Sequence, residues 1–201
     1  MRPLLVVMAK APRLGLAKTR LARAIGPVHA LRAYRTMLAH VARAARDPRW
    51  TTVIALTPDR AAARPMAPFV DFPMHPQGGG DLGDRQARVF AHNGPVVVVG
   101  ADAPQITPGD IWAAFRALRR ADAVIGPATD GGYWLLGLNG PGPEDLFEGV
   151  RWSHAETRAD LERKLAPGRI AHLRRLTDID DVEDWRAWTR RSKRLEPRLQ
   201  P

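Results

Sequence analysis

Hydrophobic residues fall along the chain in two rhythms. Val96-Val97-Val98-Val99 has no polar alternation, so it predicts a strand that is apolar on both faces. Such strands lie inside parallel sheets covered by helices. Leu4 to Met8 reads as an earlier buried strand, and Thr51 to Leu56 as a β-branched one. Ala123 to Gly126, Tyr133 to Leu138 and Ile170 to Leu176 complete the strand candidates. Helical spacing appears between them. Leu31, Tyr34, Leu38 and Val41 form one stripe behind Pro27, and Ile111, Ala114, Phe115 and Leu118 form another behind Thr107-Pro108. Further helices are expected from Asp81 to about His92, from the capping box Ser153-His154-Ala155-Glu156 to Leu165, and after Asp181 with Trp185 and Trp188. A loop is expected from Ala9 to Gly26. Residues 58–80, rich in proline and ending in three glycines, should cross the surface with one short strand near Phe69 to Phe72.

Strands alternating with helices give an α/β class with a mainly parallel sheet. With 201 residues and no linker or repeat, one domain over 1–189 and a basic tail over 190–201 is the simplest division. Cysteine is absent, which excludes disulfides, thiolate metal sites and cysteine catalysis, and fits a reducing cytoplasm. The six histidines show no ligand spacing, and no apolar run has membrane length.

Charge sharpens the picture. Residues 1–50 hold eleven Lys and Arg residues against Asp47 alone, which accounts for the whole net charge of +10. A field so concentrated suits an anionic partner, although a solvated arginine-rich helix face explains Arg32 to Arg49 equally well. Lys10 to Leu21 follows the first strand and places Lys10, Lys18 and Arg20 near its end. Its glycine pattern is not that of a P-loop, yet its cations can neutralise nucleotide phosphates.

Asp102 follows the valine strand in a turn closed by Pro104. Ligands bind beyond the carboxyl ends of strands in such sheets. Asp102 therefore reads either as an acid for a divalent cation or as a turn cap. Asp130-Gly131-Gly132-Tyr133 reads first as a hairpin, and second as a place where backbone approaches a ligand. Asp178-Ile179-Asp180-Asp181 contains a helix start and two candidate metal acids. Gly80 to Arg85 is either a cap at Asp81 or a ligand loop. Ser153 is most simply an N-cap, since no histidine–acid pair lies nearby in sequence.

Six stretches together carry a resemblance: MAKAPRLGLAKTRLARAIG, QGGGDLGDRQARVF, VVVVGADAPQITPGDI, ADAVIGPATDGGYWLLGL, LFEGVRWSHAET and LTDIDDVEDW. The chain resembles a bacterial family of GT-A-fold transferases, of the glycosyltransferase and radical-SAM or selenodomain-associated type. It is more distantly similar to molybdenum-cofactor guanylyltransferase and 2-phospholactate guanylyltransferase. The resemblance implies a three-layer αβα sandwich of the nucleotide-diphospho-sugar transferase type. It implies that Asp102 is the metal acid, although Gly100-Ala101-Asp102 offers one carboxylate where many relatives have two. Asp178 or Asp180 then completes a Mg²⁺ or Mn²⁺ site.

The expected catalytic residues are Asp102, Asp130 and Lys18. Lys10, Lys18, Arg20 and Asp81 are expected at the nucleotide, and Gly131, Gly132 and Tyr133 at the acceptor. The expected partners are a nucleoside triphosphate or sugar nucleotide and a small acceptor, with no specific nucleic acid and no membrane. Nucleotidyl and glycosyl transfer remain open. The alternatives are a catalytically silent nucleotide-binding domain and a nucleic-acid-binding protein.

Overall fold

A computed structural model describes residues 2–195. Seven strands form one sheet in the order β3-β2-β1-β4-β6-β5-β7. They are β1 (Leu4–Lys10), β2 (Thr51–Thr57), β3 (Met74–Pro76), β4 (Pro95–Gly100), β5 (Ala123–Pro127), β6 (Tyr133–Asn139) and β7 (Ile170–His172). All pairs are parallel except those of β6, which runs antiparallel to β4 and β5. The helices are α1 (Thr19–Ile25), α2 (Pro27–Ala45), α3 (Leu82–Phe90), α4 (Pro108–Ala117), α5 (Thr157–Leu165) and α6 (Val182–Leu195). This is the α/β architecture expected from the alternation of strands and helices.

The valine strand divides between two layers. Val97 and Val99 pack with α2 and α4, around Tyr34, Met37, Leu38, Ile111 and Phe115. Val96 and Val98 pack on the other face with Phe90 of α3 and Leu161 and Leu165 of α5. Each valine is at most 4% exposed, so each stabilises by roughly 1.5–3 kcal/mol relative to exposure. Gly137 on β6 lies opposite both Val97 and Val124. A Cβ there would stand 2.6 Å from Val124 Cγ1, so the residue must be small for three strands to lie flush.

Several local expectations need correction. Part of the expected 9–26 loop is strand and helix: β1 runs on to Lys10, and α1 begins at Thr19. Only Leu21 of α1 is buried, so periodicity had almost no stripe to register. The short strand is Met74–Pro76 and not Phe69–Phe72. Phe69 is instead fully buried in a turn. The last strand ends at His172, and Leu176 adds one bridge to Ala128. Helix α6 carries residues 190–195, which the composition had assigned to the tail; the remainder of that tail, 196–201, lies outside the described residues.

Ser153 is not the N-cap of α5. It sits at φ 56°, and the helix starts at Thr157 behind Glu156. The Thr157 hydroxyl donates to the His154 carbonyl at 2.7 Å and accepts from the His154 amide at 3.3 Å. Thr157 therefore closes the turn that Ser153 was expected to close. Among the described residues no helix is long and apolar enough to cross a membrane.

Candidate active site

Strands β1 and β4 are parallel neighbours, so their carboxyl ends open on the same side of the sheet. The chain leaving β4 turns at once and presents Asp102. The chain leaving β1 returns with Lys18 at the start of α1. A third segment arrives from far along the chain. The bridge between Leu176 and Ala128, and the Ile179 amide donating to the Asp102 carbonyl at 2.9 Å, hold Asp178 and Asp180 beside the other two. A cleft of about 550 Å³ opens over this meeting point.

Lys18 is its electrostatic centre. The ammonium lies 2.6 Å from Asp102 Oδ1 and 3.0 Å from Asp180 Oδ1, with the lysine side chain only 4% exposed. Burial pushes the lysine pKa down, but Asp102 and Asp180 outweigh it and the net shift is upward. Arg20 reaches Asp180 more loosely, at 3.9 Å, and stays mostly in solvent. Asp178 makes the opposite response. Burial first, then the negative charges of Asp102 and Asp130, push its pKa up to about 7. Two carboxylates therefore face the ammonium while a third nearby holds its proton near neutrality.

Lys10, Asp130, Gly132 and Tyr133 also line the cleft. Asp130 stabilises its own turn, accepting from the Gly132 amide at 2.9 Å. The Tyr133 hydroxyl already accepts a hydrogen bond from Gln86 Nε2 at 2.6 Å. Gly131 does not line the cleft. Its φ is +89°, and a Cβ would collide with the Ala155 carbonyl, so it seats the hairpin against the α5 approach. The hairpin reading is realised, and at Gly131 the close approach is to protein backbone. Asp81 also lies apart from the lining residues. It caps α3, in a reciprocal box with Asp84.

Four lining residues had no individual signal in the sequence. Tyr34 projects from α2, and its hydroxyl accepts from the Lys10 amide and donates to the Lys10 carbonyl, fixing the end of β1. Gln77 is buried and donates to the carbonyls of Ala9 and Ala55. Gln86 presents a buried Oε1 with no hydrogen-bond partner. Arg85 donates to the Gln77 side chain at 3.3 Å.

Among the described residues no three His, Asp or Glu side chains are grouped as a metal site. Asp102 and Asp180 converge on the Lys18 ammonium instead. Their hard oxygen donors nonetheless fit Mg²⁺ or Mn²⁺, which one or two carboxylates and substrate phosphates commonly hold.

A family described as "Uncharacterized protein conserved in bacteria (DUF2064)" matches residues 40–154. No curated protein matches the chain. Among solved structures, a protein from Desulfovibrio desulfuricans G20, provisionally assigned as a nucleotide-diphospho-sugar transferase, is similar over 100% of this chain and 92% of its own, with 26% identity and a TM-score of 0.87. CMP:2-keto-3-deoxy-manno-octonic acid synthetase complexed with CTP is similar over 96% of this chain and 100% of its own, at 14% identity and a TM-score of 0.58. The manganese complex of Rv0371C from Mycobacterium tuberculosis H37Rv is similar over 93% and 97%, at 16% identity and a TM-score of 0.52. The transferase resemblance carried by the sequence is borne out in family and fold.

Proposed function

The chain belongs to the DUF2064 family, and from that premise we propose that it is a divalent-metal-dependent transferase acting on a nucleotide-activated donor. One observation carries the reading. Asp102, Lys18 and Asp180, from three distant segments, meet at the carboxyl ends of β1 and β4 inside an open cleft. Charges gathered in a cleft at the carboxyl ends of strands, beside a carboxyl whose pKa is raised by burial, are the pattern of a functional site.

In this reading Lys18, Arg20 and Lys10 neutralise the donor phosphates, and the stabilisation is largest where charge grows on the leaving group. Asp102 and Asp180 would hold the metal, with Asp178 beside them. Bound Mg²⁺ or Mn²⁺ would supply the positive charge that a departing pyrophosphate or nucleoside diphosphate requires. Asp130 and Gly132 flank the acceptor side, and Tyr133 closes the cleft floor behind it.

Nucleotidyl transfer is the preferred reaction. A basic loop directly after the first strand suits the charge of a free triphosphate better than that of a diphosphate sugar. The likeness to a CTP-bound synthetase favours the same choice, and the likeness to a nucleotide-diphospho-sugar transferase favours the other. Product analysis separates them. The protein is incubated with Mn²⁺, a small-acceptor panel, and either nucleoside triphosphates or sugar nucleotides. Pyrophosphate release from a triphosphate supports nucleotidyl transfer, and nucleoside diphosphate release from a sugar nucleotide supports glycosyl transfer. Nucleotide binding without turnover over the whole panel would instead indicate a silent binding domain.

A further inference from the structure

The point between Asp102 and Asp180 is already taken by a cation that belongs to the chain. Lys18 Nζ is within 3.0 Å of one oxygen of each carboxylate, and its side chain is almost wholly buried. An ammonium and a divalent ion cannot share that point, because both need the same oxygens and repel one another. We propose that Lys18 is an internal stand-in for the metal, so that free divalent cation is refused and phosphates admit it by drawing the ammonium away.

Three features make the stand-in removable. The ammonium is a point charge on a flexible stem, without the fork of a guanidinium that locks both oxygens of a carboxylate. The backbone of Lys18 is left-handed, at φ 56° and ψ 45°, a strained conformation for a lysine, so the resting pose is not its most relaxed one. The residue also opens α1 without capping it, so its side chain can move without undoing a helix hydrogen bond. A triphosphate entering the cleft offers the ammonium more negative charge than two carboxylates do. Once the ammonium turns to the phosphates, Asp102 and Asp180 are left as vacant hard donors beside anionic oxygens, which is a metal site. Metal and nucleotide then strengthen each other's binding by the same factor, as linkage requires.

The inference rests on the nucleotide-transferase reading, and its test keeps the two apart. Mn²⁺ alone is titrated into the wild type, Lys18→Met and Lys18→Gly, with the free ion followed by electron paramagnetic resonance. Glycine adopts the left-handed backbone without strain, so the second variant keeps the fold if the first does not. Both variants should bind Mn²⁺ at least tenfold tighter than the wild type, and Mn²⁺ should raise their melting temperatures more. Equal Mn²⁺ affinity in all three proteins overturns the proposal. Adding CTP should then improve Mn²⁺ retention more in the wild type than in the variants, and an equal gain overturns the coupling. If CTP binds none of the proteins, the nucleotide reading fails for this base, and the Mn²⁺-only comparison still decides the role of Lys18.

Discussion

At the start of α5, Asp160 is gripped from every side. Arg151 donates to it from Nε at 2.8 Å and Nη2 at 2.6 Å, and the Arg151 amide adds a third bond at 3.1 Å. Arg163 adds another guanidinium, and Glu156 pairs with the same Arg151 Nη2 that contacts Asp160. Hydrogen bonds from Arg151 hold the Asp160 carboxyl well below the usual carboxylate range. In the cleft, Asp102 and Asp180 share one ammonium, and a third acid beside them is pushed up to about 7. The first cluster sets two acids, Asp160 and Glu156, against two guanidiniums, Arg151 and Arg163. The second is held at close range by a single point charge, with the exposed Arg20 reaching Asp180 only at 3.9 Å and a third carboxyl left outside these ion pairs. Charge locked by guanidinium forks makes a joint; charge held by one displaceable ammonium makes a place for a ligand.

Five substitutions test that contrast. The largest effect is expected from Asp102→Asn, which preserves size but makes a poorer ligand for a hard cation. Calorimetric titration of nucleotide with Mn²⁺, and then with EDTA, should show the metal-dependent part of the affinity falling by about tenfold or more, roughly 1.4 kcal/mol. An unchanged metal response would return Asp102 to the role of a turn cap. Asp160→Asn should do the reverse. It should lower the melting temperature markedly while the folded fraction binds nucleotide normally; a binding defect without a stability defect would erase the distinction between the clusters.

Asp178→Asn gives a pH-dependent difference with a definite sign. The folded carboxyl titrates near 7 against an ordinary value of 3.8, so the folded state prefers the protonated acid. That contribution is fully present below about pH 4 and is lost as pH rises through 7. Relative to Asp178→Asn, the wild type should therefore lose stability between about pH 4 and pH 7, then stay level. A difference that is flat with pH in thermal melts would mean the acid is ionised throughout. The smallest effects concern the α5 turn. Thr157→Ala should cost about 1 kcal/mol, since its hydroxyl serves the helix start. Ser153→Ala should stay within about 0.5 kcal/mol, as for a residue outside the cap. Denaturant melts that reversed this order would restore Ser153 as the cap.

Much of the sheet was legible because burial on both faces writes itself into runs such as Val96 to Val99. The end of β4 was legible for the same reason, within one residue, and with it the position of Asp102; the end of β1 ran two residues past the apolar run, to Lys10. What failed were features decided by contacts at a distance. Helix α1 buries one side chain, so it has no stripe to read. Tyr34 looked like another apolar position of α2, and only the fold brings its hydroxyl to Lys10. Asp81 carried a local capping signal through Asp84, and that bland reading was the one the structure realised. The pairing of Lys18 with Asp180 spans 162 residues, which no local pattern encodes.

That span has a consequence for how the protein is made. The strands β1, β2 and β4 that anchor the cleft are all complete by Gly100, and Asp180 is synthesised well after them. Domains fold as they leave the ribosome, and late, long-range contacts close last. A nascent chain can therefore own its sheet, its basic loop and Asp102 while lacking the acid that finishes the charge cluster. No half-made copy has a complete site. In the proposed reading, a chain interrupted before Asp180 lacks one of the two carboxylates that hold Lys18, and with it the site to which the transfer chemistry is assigned.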